Sequence, residues 1–243
     1  MAEFLLEIAG HTGAVTSLFD STPHYFAPYL SEKEPEFSIT VTPEDLVFEQ
    51  LDARREAEEE GFRPRIFPDP FLERAAIQRQ FAVFLFNRDI LLVHGSTVAV
   101  DGRAYLFTAR SGTGKSTHTR LWRQVFGGRA VMVNDDKPFL DIGKGIIAHG
   151  SPWSGKHGLD SNISAPLQGI CLLERGAENA ITPARPAELL EWLLHETYLP
   201  RDSEKAVRHR TLVEILAESV PLWRMICNKE PEAAEIAHRA MSE

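Results

Sequence analysis

Apolar positions along the chain fall into short runs whose spacing predicts most of its elements. Phe4 to Ile8 and Phe37 to Val41 read as strands, the second through the alternation F-S-I-T-V. Between them, Ser21-Thr22-Pro23 has the form of a helix start with proline in the first turn. Thr42-Pro43-Glu44-Asp45 repeats that signal and predicts a helix through LDARREAEEE to Glu60, ended by Gly61. Its charge-dense sequence suits a solvated helix face better than a binding patch. The proline-punctuated stretch RPRIFPDP then marks a boundary between an N-terminal αβ portion, residues 1–68, and a larger portion, residues 69–243, on whose core the first is expected to pack.

Beyond the boundary, nearly continuous apolar residues predict a buried helix from Phe71 to Phe86. ILLVHGSTVAVDGRAYLFTA reads as two strands joined at Asp101-Gly102. A helix follows from Lys115 to Phe126, stopped by Gly127-Gly128, and RAVMVND supplies a third strand. Short strands alternate with turns from Lys137 to about Glu174. Two helices, a strand through Trp223 to Cys227 and a terminal helix begun by Pro231 complete the chain. The expected fold class is α/β with a mixed, α+β-like sheet.

Composition narrows the function classes. The 243 residues are 43% hydrophobic and 25% charged, in the range of a globular protein. Twenty-six basic against 35 acidic residues give a net charge of −9, so no nucleic-acid partner is expected. The run FAVFLF is broken by Asn87, Arg88 and Asp89 and is too short to span a bilayer. The N-terminus carries Glu3 and no basic leader. Cys171 and Cys227 stand far apart in apolar segments, at neither metal nor redox spacing. Together these predict a cytoplasmic protein with reduced thiols and no membrane association.

The candidate chemistry centres on ARSGTGKST. An apolar strand, a small-residue loop and a helix in that order form an anion cradle, because loop amides and the helix N-terminus converge on phosphate oxygens. Ser111, Gly112, Thr113 and Gly114 would supply backbone donors, Lys115 a point charge for the outer phosphates, and Ser116 a hydroxyl toward Mg²⁺; Thr117 completes the loop. The general P-loop (Walker A) pattern has glycine where this chain has Ala109. The bland alternative is a glycine-rich turn before an ordinary helix. VMVNDDKPFL adds Asp135 and Asp136 one helix later, where a carboxylate can reach Mg²⁺ or an acceptor hydroxyl. On a strand the two would face opposite ways and could divide a metal role and a base role; a solvated turn is the competing reading. In AHGSPWSGKHGLDSN, Lys156 could stabilise a phosphoryl group in transfer, or could simply lie on a surface loop. Arg201 in YLPRD is weaker still.

HGSTVAVDGRAYLFTARSGTGKST followed by VMVNDD resembles the catalytic domain of HPr kinase/phosphorylase and, more distantly, phosphoenolpyruvate carboxykinase, over about Ile90 to Glu174. The resemblance implies a carboxykinase-like P-loop fold and an ATP- and Mg²⁺-dependent kinase acting on a hydroxyl. It implies His94 beside the transferred phosphoryl group, Lys115 on the β- and γ-phosphates, and Ser116 with one aspartate on Mg²⁺. Asp135 is favoured as general base and Asp136 as metal ligand. The N-terminal portion is shorter than the separate domain of the bifunctional enzymes and their C-terminal signature is unmatched, so neither HPr itself nor a reverse phosphorylase activity is implied. The expected acceptor is a serine of a small protein or peptide, with a small-molecule kinase or a non-catalytic ATP-binding sensor as alternatives. Carboxykinase chemistry on a small carboxylic acid is disfavoured by the length of those enzymes. HPr kinases form hexamers, which leaves a homo-oligomer open.

Overall fold

The computed structural model describes residues 1–59, 61–143, 145–200 and 204–242. They form two compact units, Met1–Phe84 and Leu85–Glu243.

In the first unit, β1 (Ala2–Ile8) and β2 (His11–Ser17) form an antiparallel hairpin turned at Ala9-Gly10, with φ of 51° and 81°. The hairpin corrects the sequence reading, which had no strand at His11–Ser17. Small side chains such as Gly13 and Ala14 hide its alternation. The helix expected at Ser21 is a single turn, α1 (Thr22–Tyr25). After it, β3 (Phe37–Thr40) adds in parallel to β2, pairing Ile39 with Val15. Two helices follow, α2 (Pro43–Glu59) and α3 (Asp69–Phe86); Glu60, the expected last residue of the first, lies outside the described residues. Arg79 of α3 clamps α2 through Glu49 at 2.5 Å and Asp45 at 2.7 Å. Glu73 is fully buried, and accepts hydrogen bonds from the Leu18 and Phe19 amides and the Thr22 hydroxyl. A buried carboxylate satisfied in this way stiffens the turn after β2.

The second unit is a mixed sheet flanked by helices. Its strands are β4 (Ile90–Leu92), β5 (Ser96–Val100), β6 (Arg103–Thr108), β7 (Ala130–Asn134), β8 (Phe139–Asp141), β9 (Ile147–His149), β10 (Ser164–Arg175), β11 (Ala180–Ala184) and β12 (Leu222–Cys227). Its helices are α4 (Lys115–Phe126), α5 (Pro186–Glu196), α6 (Lys205–Ser219) and α7 (Glu232–Ser242). Asp101 and Gly102, with φ of 50° and 79°, turn the β5–β6 hairpin as expected from the sequence. The strand order is β4-β8-β9-β10-β6-β5-β7, with β12 pairing β10 and β11 pairing β12. The sheet thus mixes antiparallel pairs with the parallel pairs β6–β10 and β10–β12.

Strand β10 belongs to two neighbourhoods. Ser164 to Pro166 pair antiparallel with β9, whereas the stretch from Ile170 onward lies between β6 and β12, parallel to both. Alternation assigns its side chains to two cores. Cys171 and Leu173 join Val98, Val100, Tyr105 and Phe107 on the face packed by Leu121 and Trp122 of α4 and by Ala233, Ala234 and Ala237 of α7. Ile170 and Leu172 join Ala99, Ala104 and Leu106 on the face packed by Leu189 and Leu193 of α5 and by Leu212, Val213 and Leu216 of α6. Each fully buried large side chain here contributes about 1.5–3 kcal/mol relative to exposure. Both cysteines are unpaired, Cys171 buried in the sheet. Among the described residues, no helix is long and apolar enough to cross a membrane.

Candidate active site

The loop between β6 and α4 runs from Ala109 to Gly114, with Ser111 and Gly112 exposed and Thr113 to Thr117 half-buried. Gly112 and Gly114 hold φ of 75° and 126°, a region side chains disfavour, so the tight turn into α4 depends on glycine at both places. Ala109 needs no such freedom. Among the described residues the non-glycine positions with positive φ are Ala9, Asp89 and Asp101, so Ala109 has ordinary backbone. Its methyl is fully buried in the α4–α7 core, and its carbonyl accepts a 3.0 Å hydrogen bond from Lys115 Nζ. That bond folds the lysine back over the loop.

Helix α4 is fixed from below. His118 and Trp122 are buried, and Trp122 Nε1 donates to His118 Nε2 at 3.1 Å. An imidazole accepting in a dry core must be neutral; burial pushes the His118 pKa down to about 4. Next to His118 in the chain, Thr119 Oγ1 lies 2.8 Å from Ser96 Oγ, which donates at 2.7 Å to Asp135 Oδ1. This chain joins the loop helix, strand β5 and the turn after β7 at three buried side chains.

Strand β7 ends at Asn134, so Asp135 and Asp136 lie in a bend beyond it and not on the strand that the sequence suggested. Asn134 makes that bend. Its Oδ1 accepts from the amides of Asp136 at 2.7 Å and Lys137 at 2.6 Å, while Nδ2 donates to Ser151 O, Ser151 Oγ and Trp153 O. Asp135 N–H donates to Leu159 O at 3.0 Å and Ser161 N–H to Val133 O, so the loop carrying Lys156 is tied to the end of β7. Gly150 permits the approach: a Cβ there would sit 1.8 Å from Ser161 O and 2.9 Å from Val133 O. Gly155 faces the aspartates, its Cβ position being 3.5 Å from Asp135 Oδ2 and 3.6 Å from Asp136 Cβ. Lys156 follows it, exposed.

No protein-family model matches the chain. No curated protein matches it either.

His94 stands between two acids. Its Nδ1 is 2.8 Å from Glu196 Oε2 and its Nε2 is 3.4 Å from Asp136 Oδ1. Backbone pairing fixes the approach: His94 N–H donates to Glu196 O, Tyr198 N–H to Leu92 O, and Gly95 N–H to Asp136 O. Burial works against the charged imidazole, but the carboxylates of Asp136 and Glu196, facing its ring nitrogens as acceptors, prevail and the His94 pKa is raised. Glu196 and Asp136 show the reciprocal effect: burial opposes their ionisation, His94 overcomes it, and both carboxyls titrate below their usual range. Burial lowers the Lys115 pKa, opposed by the negative charge of Glu196 and Asp136.

The structure therefore gathers Lys115, His94, Asp135 and Asp136 around one end of the sheet, with Ser116 in the first turn of α4. Lys156 is brought near only through its loop, and Arg201 lies outside the described residues. Two partners were not singled out in the sequence. Glu196 is 102 residues from His94, and only folding places its carboxylate there; Asn134 lay inside the quoted VMVNDD, overshadowed by the aspartates. Among the described residues no group of three or more His, Cys, Asp or Glu is arranged to hold a metal ion.

Proposed function

We propose that this chain is an ATP-dependent kinase of the phosphoenolpyruvate carboxykinase-like P-loop class, transferring the γ-phosphoryl group to a hydroxyl, with a serine of a small protein or peptide as acceptor. One observation carries the reading: a buried hydrogen-bonded chain from Thr119 through Ser96 to Asp135 ties the aspartate bend to the helix that the Lys115 loop opens. A phosphate cradle and a carboxylate pair held in register are what in-line phosphoryl transfer requires.

In this reading the loop amides from Ser111 to Thr117, apart from that of Thr113, which donates to Arg110 O, hold the phosphates together with the Lys115 ammonium. Asp135 is suited to the role of base, because Oδ1 is fixed by Ser96 while the buried Oδ2 has no hydrogen-bond partner among the described residues. The acceptor oxygen bonds to the γ-phosphorus, the bond to the β–γ bridging oxygen breaks, ADP leaves, and the hydroxyl proton passes to Asp135. Ser116 and Asp136 offer the hard oxygen donors that Mg²⁺ prefers, and would hold it with the phosphates completing its shell. When bound, that ion neutralises charge on the phosphate oxygens. His94, oriented by Glu196, and Lys156 beside Gly155 are the further cations facing the transferred group.

The test compares wild type, Lys115→Ala and Asp135→Asn for MgATP binding by calorimetry and for phosphate transfer to serine peptides and to small hydroxyl compounds. Lys115→Ala is expected to abolish turnover. Asp135→Asn is expected to bind normally and lose transfer by about 10²-fold or more. Full activity in Lys115→Ala would sink the reading. Wild-type binding without transfer to any acceptor would instead favour a nucleotide sensor.

A further inference from the structure

Arg175 is the last residue of β10, the parallel neighbour of β6. Thr108, at the end of β6, registers with Leu172, so Arg175 projects from the same sheet end as the phosphate loop. Its guanidinium reaches the loop backbone, Nε donating to Thr113 O at 2.8 Å and Nη2 to Gly112 O. We infer that Arg175 is a positioning residue for nucleotide, clamping two successive loop peptides so that the Gly114 amide faces the phosphates; this rests on the function proposed above.

The peptide group is planar and its C=O and N–H point in opposite directions. Holding the Gly112 carbonyl sets the Thr113 N–H, and holding the Thr113 carbonyl sets the Gly114 N–H. Thr113 N–H already donates across the loop to Arg110 O at 3.0 Å, so the Gly114 amide is the donor that the clamp chiefly aims. The clamp is needed where it acts, because Gly112 and Gly114 leave the loop backbone with more conformational freedom than any other residues would. A rigid planar fork is also the side chain suited to bridging two neighbouring oxygens; an ammonium is not. Removing the fork leaves the loop sequence intact and its amides unaimed, so the loss falls on phosphate binding and not on folding.

The experiment measures the dissociation constant for a non-hydrolysable ATP analogue with Mg²⁺ in wild type, Arg175→Ala, Arg175→Lys and Lys115→Ala, with thermal midpoints and amide hydrogen exchange of the ligand-free proteins. Arg175→Ala is expected to weaken binding about tenfold or more, to speed exchange at Thr113 and Gly114, and to leave the thermal midpoint close to wild type. Arg175→Lys is expected to recover little of the binding. Wild-type affinity and exchange in Arg175→Ala would overturn the inference while leaving the kinase reading intact. Recovery in Arg175→Lys would overturn the clamp in favour of simple charge. Absence of analogue binding by wild type itself would overturn the kinase reading, and the clamp with it.

Discussion

Replacing Asn134 with alanine removes the side chain that shapes the aspartate bend. The residue is fully buried at the end of β7. Its amide donates to Ser151 O at 2.8 Å, Ser151 Oγ at 3.0 Å and Trp153 O at 3.3 Å, and its carbonyl accepts from Asp136 and Lys137. A net hydrogen bond is worth about 1 kcal/mol, and a buried group left unpaired costs about 1–3 kcal/mol. The Asp136 and Lys137 amides are only part-buried, so water can recover some of their loss. Even with that recovery, Asn134→Ala is expected to destabilise Leu85–Glu243 by about 3 kcal/mol. Urea unfolding followed by tryptophan fluorescence suits the measurement, since Trp122, Trp153, Trp192 and Trp223 are the chain's four tryptophans and all lie in that unit. A loss under about 1 kcal/mol would show that the bend is held by other contacts and refute the reasoning.

Two further outcomes follow from the titrating groups. His118 has a folded pKa of about 4 against an ordinary value of 6.5, so the unfolded chain binds the extra proton between them. Stability should therefore fall as pH drops from about 6.5 to 4, by roughly 3 kcal/mol from this group; His118→Gln should flatten that slope, and an unchanged slope would contradict the buried neutral imidazole. The His94 cluster has the opposite sense on its alkaline side. Its raised pKa makes a contribution that is full below the unfolded value and lost as pH rises through the folded one, while Glu196 and Asp136, lowered, contribute above their unfolded values and lose it as pH falls through the folded ones. Glu196→Gln should lower the His94 midpoint read by NMR, and an unmoved midpoint would count against the Nδ1 contact.

How much of this was legible in the sequence depended on how local each signal was. The helix Lys115–Phe126 and the turn at Asp101-Gly102 were read correctly because glycines and hydrophobic spacing define them within a few residues. Strand β11 was missed: Ala180–Ala184 is a mostly exposed edge segment containing Pro183, and its pairing with β12 comes from more than 30 residues away along the chain. The aspartates were visible as a pair, but their placement beyond β7 required the Asn134 turn. Glu196 reaches His94, and Arg175 the loop, through tertiary contacts alone, and each looks in sequence like an ordinary charge ending a helix or a strand.

The double membership of β10 has a consequence for the order in which the unit can be built. Strands β5, β6 and β7 pair with near neighbours, but β6 must wait for β10, some 60 residues later, and β10 in turn for β12, some 50 residues beyond it. During synthesis the Ala109–Gly114 loop therefore emerges on a strand with one open edge, long before the strand bearing Arg175 can close it. Such an edge is a template for pairing with other chains, and closure over that sequence distance is slow. The edge beside the Ala109–Gly114 loop thus stays open for some 60 residues of synthesis, and the edge of β10 for some 50 more.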